Sequence, residues 1–264
     1  MSDSLILSLL CGLLGGLIGS FLNVCISRLP YDESVTLPRS HCPRCGAWIS
    51  WYDNIPVLSF AVLGGKCRAC RLPIAWRYPL VEAATAALFA AGAWRWGVSW
   101  ETARWCIFSA VMVELVVSDL ETFILPDEFT LWGAALGVML APLALLPTGL
   151  LPLVLAGQGE TPLGSTVNAV VSAILLAAAF WAIGSLYERI RGREGLGFGD
   201  VKMLAAMGAF LGLETAMMAV LAASIMGAVL GGLWIVLKGK KASDEELPFG
   251  SFLGVAALLA GWLA

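Results

Sequence analysis

Charge is scarce in this chain. Only 13% of its 264 residues are Asp, Glu, Lys or Arg, while 59% are hydrophobic and the mean hydropathy is +0.85. Soluble globular domains carry about a quarter charged residues, so that class is excluded. Residue-by-residue alternation of polar and apolar positions is missing too, which excludes a membrane β-barrel. No G-x-G-x-x-G stands between a strand and a helix, so nothing indicates a Rossmann cofactor site. Nor does an internal repeat or low-complexity tract point to an array. The opening Met-Ser-Asp-Ser lacks a basic start and no A-x-A site follows, so the first apolar segment is expected to stay attached.

What the chain does have is a series of apolar runs, several near the 20 residues that a helix needs to cross about 30 Å of hydrocarbon. Eight are read: Leu5 to Cys25, Pro79 to Gly97, Thr102 to Ser118, Phe129 to Leu146, Thr166 to Tyr187, Val201 to Leu213, Thr215 to Leu237 and Leu247 to Ala264. The sixth is short, so it either tilts little or covers only part of the bilayer, and the sequence leaves open whether the crossing near Glu214 is a true loop. The expected fold is therefore an all-α polytopic membrane protein of about eight transmembrane helices. Lys and Arg divide unevenly between the alternate connections. Arg28, Arg39, Arg44, Lys66, Arg68, Arg71 and Arg77 fall between the first two segments, Arg189, Arg191, Arg193 and Lys202 near Asp200, and Lys238, Lys240 and Lys241 before the last segment. Only Arg95 and Arg104 occupy the other side. Positive residues favour the cytoplasm, so the long loop is expected there and both termini opposite. Trp94, Trp96, Trp100 and Trp105 would form an interfacial belt at the outer ends.

This topology brings two acids to one membrane face: Asp119, ending the third segment, and Asp200, opening the sixth. Acids at helix ends are often solvated or cap the helix, which suits Glu121, Asp127 and Glu128. Around Asp200 the stretch GLGFGD adds Gly197 and Gly199, whose missing Cβ permits φ > 0 and close approach by another chain. Glu82 and Glu114 lie within apolar segments, where an ionisable group faces the protein interior or a wet cavity. Glu114 stands five residues before Asp119, about 140° away around an ideal helix, so it is read as structural or as a substrate contact.

The loop holds the other cluster. Cys42-Pro-Arg-Cys45 and Cys67-Arg-Ala-Cys70, 21 residues apart, have the spacing of a four-thiolate zinc site. Paired disulfides are the alternative, disfavoured on a reducing cytoplasmic side. Zinc would be structural, a staple for a 53-residue loop with few long apolar runs. His41 could substitute as a ligand. Cys11, Cys25 and Cys106 read as packing residues, and Gly12, Gly15, Gly16 and Gly19 as a helix-packing surface. Asn23 and Arg28 at one end of the loop, Arg77 and Glu82 at the other, are either interfacial anchors and buried contacts or groups placed to meet a charged cofactor or substrate.

GFGD at Gly197 to Asp200 together with DLETFILPD at Asp119 to Asp127 resembles the two active-site motifs of type IV prepilin peptidases, membrane aspartyl proteases of the GxGD class. GSFLNVCISRLP, HCPRCG, WYDNIPVLSF, GGKCRACR and WRYPLVE resemble that family's bifunctional members in the same order, over most of the chain. The resemblance implies Asp119 and Asp200 as catalytic acids. It implies removal of the leader from prepilins and pseudopilins, then methylation of the new amino terminus with S-adenosylmethionine, in the bacterial inner membrane with the active site facing the cytoplasm. The expected partners are those precursors and the lipid bilayer, with no nucleic acid. The domains would be a first transmembrane helix over 1–25, a zinc-binding loop over 26–78 and a membrane aspartyl protease over 79–264. Two adjacent carboxylates share a proton, so one can activate water while the other protonates the scissile amide. A helix N-terminus favours the ionised form at Asp200. A transporter would favour midplane acids and repeated halves, and a zinc-dependent scaffold would need the cysteines without the aspartates.

Overall fold

The structure is a computed structural model, and it describes residues 2–146, 161–192, 195–233 and 247–264. Among these residues there is no β-strand, only helices, turns and two isolated bridges. Eight helices follow in order: α1 (Ser2–Arg28), α2 (Leu58–Val62), α3 (Arg77–Trp96), α4 (Trp100–Thr122), α5 (Asp127–Leu140), α6 (Pro162–Arg191), α7 (Phe198–Met226) and α8 (Phe249–Leu263). Arg193, Lys238, Lys240 and Lys241, and the end of the seventh apolar segment over 234–237, lie outside the described residues.

The boundaries have local causes. Thr161 caps α6 by accepting the Gly164 N–H at 3.0 Å, Pro162 fills the first turn, and Gly192 closes the helix at φ 68°. Phe123, at φ 56°, ends α4 with its N–H on the Asp119 carbonyl. Pro126 then stands in the cap position of α5. The sixth and seventh apolar segments are two helices that meet within α7 at a kink, where Gly212 takes φ 74° and ψ 173°, and a π-helical turn over Gly227–Gly231 continues the second. Only glycine adopts that backbone cheaply, so the connection near Glu214 is a kink between two helices.

Three stretches among the described residues are long and apolar enough to cross a membrane: Ser4–Tyr31, Pro162–Arg191 and Phe198–Gly231. Eight separate crossings do not follow from length and composition. Helices α5 and α8, of 14 and 15 residues, reach about 21–23 Å at 1.5 Å per residue, short of the hydrocarbon thickness.

The chain divides into two compact units, Met1–Glu114 and Leu115–Ala264. In the first, α1 packs along α3. A Cβ at Gly15 would stand 2.7 Å from the Thr85 carbonyl oxygen and one at Gly19 2.7 Å from Glu82 Cα, so these glycines set the helix approach. Trp105 departs from the expected belt. It is buried against Gly92, with its indole N–H on the Leu88 carbonyl at 2.8 Å, whereas Trp94 and Trp100 are exposed. Glu114 is fully buried. In the second unit, α5, α6 and α8 all pack on α7, which buries Met203, Leu204, Met207 and Phe210. Gly137 of α5 lies against Ala209, and Gly208 against the backbone of Ser172 in α6.

Candidate active site

Three helix ends of the second unit meet at the acid pair. Asp119 sits in the last turns of α4 and is buried. Asp200 is the third residue of α7, half-buried, and accepts from the Gly197 N–H at the cap position, which is half of a capping box. The third end is the first turn of α8, and sequence reasoning missed it. A Cβ built on Gly250 would lie 3.1 Å from Asp119 Cγ and 3.1 Å from Asp200 Oδ1, so both carboxylates flank one point. Ser251 donates its N–H at 2.7 Å and its hydroxyl at 2.8 Å to Asp119 Oδ2. The signal in the sequence was Pro-Phe-Gly-Ser at 248–251, a glycine and a hydroxyl opening the last apolar run.

The motif glycines do not use the left-handed backbone that glycine permits. Neither adopts a positive φ, and Gly197 has an ordinary φ of −64°. A Cβ on Gly199 would meet Leu125 at 3.2 Å, so its lack of side chain lets α7 pack closely. Gly197 keeps an open side, with only the Asp200 carboxylate near it at 3.4 Å. Asp127 is not a cap: it is the first residue of α5, makes no cap bond, and pairs with Lys202 of α7, two residues beyond Asp200. The hydrogen bonds also weigh against ionised Asp200 as the resting form, because Asp119 Oδ2 takes two donors from Ser251 where Asp200 takes one backbone N–H.

In the first unit the four cysteines of the loop converge. The Sγ atoms of Cys42, Cys45, Cys67 and Cys70 all lie within 4.8 Å of one another. Cys42 and Cys70 are 4.0 Å apart and all are free thiols, too far for the roughly 2.05 Å of a disulfide. A tetrahedral zinc with Zn–S of about 2.3 Å holds its sulfurs about 3.8 Å apart, so the group fits that ion. The Cys70 N–H, then that of Ala69, lower the pKa of the Cys67 thiol, to about 7. His41 is not among the gathered ligands; its Nδ1 lies on the Arg39 carbonyl and its ring pairs edge-to-face with Trp48.

The two knuckles are one device used twice. Cys42 N–H binds the Ala47 carbonyl, Gly46 N–H that of Cys42, and Ile49 N–H that of Ser40. The same three bonds recur as Cys67 to Leu72, Arg71 to Cys67 and Ile74 to Gly65. Gly46 and Arg71 take the matching left-handed position, at φ 71° and 60°. The bidentate pair of Arg68 and Asp53, at 2.7 and 2.6 Å, ties the second knuckle to the turn Trp51–Asn54, and holds the Asp53 carboxyl below its usual range.

The four residues flanking the loop make hydrogen bonds within the first unit. Arg28 donates to the Ser34 and Pro38 carbonyls, both at 2.8 Å, and Arg77 to Ser27 Oγ at 2.8 Å. Glu82 accepts the N–H of Val57 at 2.7 Å. Asn23 donates to the Tyr78 carbonyl at 3.0 Å, while its buried Oδ1 has no hydrogen-bond partner among the described residues.

Comparison with known proteins gives the same order of parts. Residues 13–96 match the bacterial peptidase A24 N-terminal domain, and residues 106–232 match the type IV leader peptidase family. The prepilin leader peptidase/N-methyltransferase of Pseudomonas aeruginosa is 32% identical, over 96% of this chain and 87% of its own length. The protein of that name from Aeromonas hydrophila is 36% identical, over 94% and 86%. The one from Myxococcus xanthus is 37% identical, over 88% and 64%. No solved structure matches. On these grounds the chain belongs to the type IV leader peptidase family.

Proposed function

We propose that this chain cuts the leader from prepilins and pseudopilins at Asp119 and Asp200 and then methylates the new amino terminus. The observation that carries the reading is the meeting of both carboxylates at Gly250. They come from helix ends 81 residues apart in sequence, and packing alone has no need of two acids there. Ionised Asp119 takes a proton from water as the water oxygen attacks the scissile carbonyl, and protonated Asp200 gives its proton to the carbonyl oxygen. On collapse Asp119 passes its proton to the leaving amine and Asp200 recovers one from the second hydroxyl. Both acids return to their starting states, and no metal takes part. The open side of Gly197 leaves room for an extended substrate backbone beside Asp200.

Residues 26–78 form the zinc-stapled part, with Cys42, Cys45, Cys67 and Cys70 holding the ion, and 79–264 form the protease, after a first transmembrane helix over 1–25. S-adenosylmethionine supplies an electrophilic methyl group. Asn23, with a buried acceptor to spare, and Glu82 are the groups best suited to its amino and sulfonium charges, whereas Arg28 and Arg77 hold the loop to its helices. The protein crosses the inner membrane several times with the acids at the cytoplasmic face, where a prepilin keeps its leader. The kinship of the chain does not favour a transporter or a scaffold. Purified protein in detergent, incubated with a prepilin, should release the leader. An intact precursor after prolonged incubation, with protein that retains its fold, would overturn the reading.

A further inference from the structure

Ser251 has more contacts than a helix-start serine needs. It is buried, its N–H and hydroxyl both reach Asp119 Oδ2, and the same hydroxyl lies 3.0 Å from the Val116 carbonyl. A hydroxyl carries one hydrogen and two acceptor lone pairs, so it cannot serve both oxygens fully at once. The two acceptors differ in kind. Asp119 Oδ2 can gain a proton, and a backbone carbonyl at neutral pH cannot. With Asp119 ionised, the hydroxyl hydrogen points at Oδ2. With Oδ2 protonated, that hydrogen turns to the Val116 oxygen and the serine lone pair accepts from Oδ2–H. The Ser251 N–H holds Oδ2 in place throughout, and Gly250 leaves the carboxylates room.

We propose that Ser251 is a positioning residue for leader cleavage, its hydroxyl turning between Asp119 Oδ2 and the Val116 carbonyl as Asp119 takes up and releases a proton. The proposal rests on the reading of Asp119 and Asp200 as the cutting pair. It assigns Ser251 no contact with substrate. Its hydroxyl keeps one hydrogen throughout, and the proton that moves is the one Asp119 receives from water.

The test uses the full chain in detergent, a prepilin peptide, and the variants Ser251→Ala, Ser251→Thr and Asp200→Asn. Ser251→Ala should lower kcat about tenfold, as expected for loss of one hydrogen bond to a charged group. KM should stay within about twofold, and the acidic limb of the pH–rate profile should move to higher pH because the ionised form loses a donor. Ser251→Thr should restore both. If the alanine variant does not fold, Ser251→Cys, nearly isosteric but a weak donor, asks the same question and should fall between parent and alanine. A parent-like kcat and pH profile in folded Ser251→Ala would overturn the proposal. So would a lower kcat with an unmoved profile, or a threonine variant as impaired as alanine. Continued cutting by Asp200→Asn would instead remove the underlying reading, whereas loss of cutting there beside a parent-like Ser251→Ala would remove only the role of Ser251.

Discussion

The thiol cluster and the acid pair are assembled in opposite ways. Each half of the thiol cluster is made locally, by three backbone bonds within ten residues, and the device recurs in the second knuckle. The acid pair has no local half. Asp119, Asp200 and the Gly250–Ser251 turn come from α4, α7 and α8, and nothing in any one of them specifies the other two. A locally built site tolerates change elsewhere and fails when its own turn is altered. A site built across helices fails wherever one helix end is displaced.

Outside the acids themselves, the largest effect is therefore expected at Gly250. A methyl there stands 3.1 Å from atoms of both carboxylates, and displacement of reacting groups by a fraction of an ångström to 1 Å costs up to about a hundredfold in rate. Gly250→Ala should lower leader cleavage by about ten- to a hundredfold and Gly250→Val by more, with zinc content unchanged. An unimpaired Gly250→Val enzyme would show that the carboxylates are not held against α8. Next comes the metal. Purified protein should contain about one zinc, and Cys42→Ser should lose it and open the loop to trypsin, because metal binding supplies much of the folding energy of such a unit. Methylation should suffer more than cleavage, measured separately with a pre-cut peptide and a precursor. The smallest effects belong to the turn positions. Gly46→Ala places a Cβ at φ 71° and should cost about 1 kcal/mol of loop stability, whereas Arg71→Gly relieves the matching strain and should gain up to about 1 kcal/mol. Thermal unfolding followed by zinc release would read both, and equal responses at the two positions would break the correspondence between the knuckles.

This difference in construction also decides what was legible beforehand. The knuckles declare themselves through C-x2-C spacing, since the ligands of each half are neighbours in sequence. The apolar segments gave the helices well, because hydrophobic runs are a local property, and the gap left between Leu213 and Thr215 falls beside the kink at Gly212, whereas α5 and α8 are helices of only 14 and 15 residues. Asp119 and Asp200 were singled out by orientation and resemblance. The roles of Gly250 and Ser251 were not visible, because a glycine and a serine at a helix start are common and only the approach of α8 gives them a task. Similarly, Asp127 looked like a cap until Lys202 came to it across α5 and α7. The charged residues flanking the loop were ambiguous in the sequence because anchoring and binding use the same side chains, and in the structure each makes a hydrogen bond to the loop or its flanking helix.

Leader removal by Asp119→Asn and Asp200→Asn enzymes, set beside methylation of a synthetic mature pilin peptide by the same preparations, tests the acid pair most directly. Asn keeps the shape of the side chain and cannot exchange the shared proton. Cleavage should fall below detection in both variants, while Asp119→Asn, with its zinc retained, still methylates the mature peptide. Normal leader removal by folded Asp200→Asn would contradict the paired-carboxylate site.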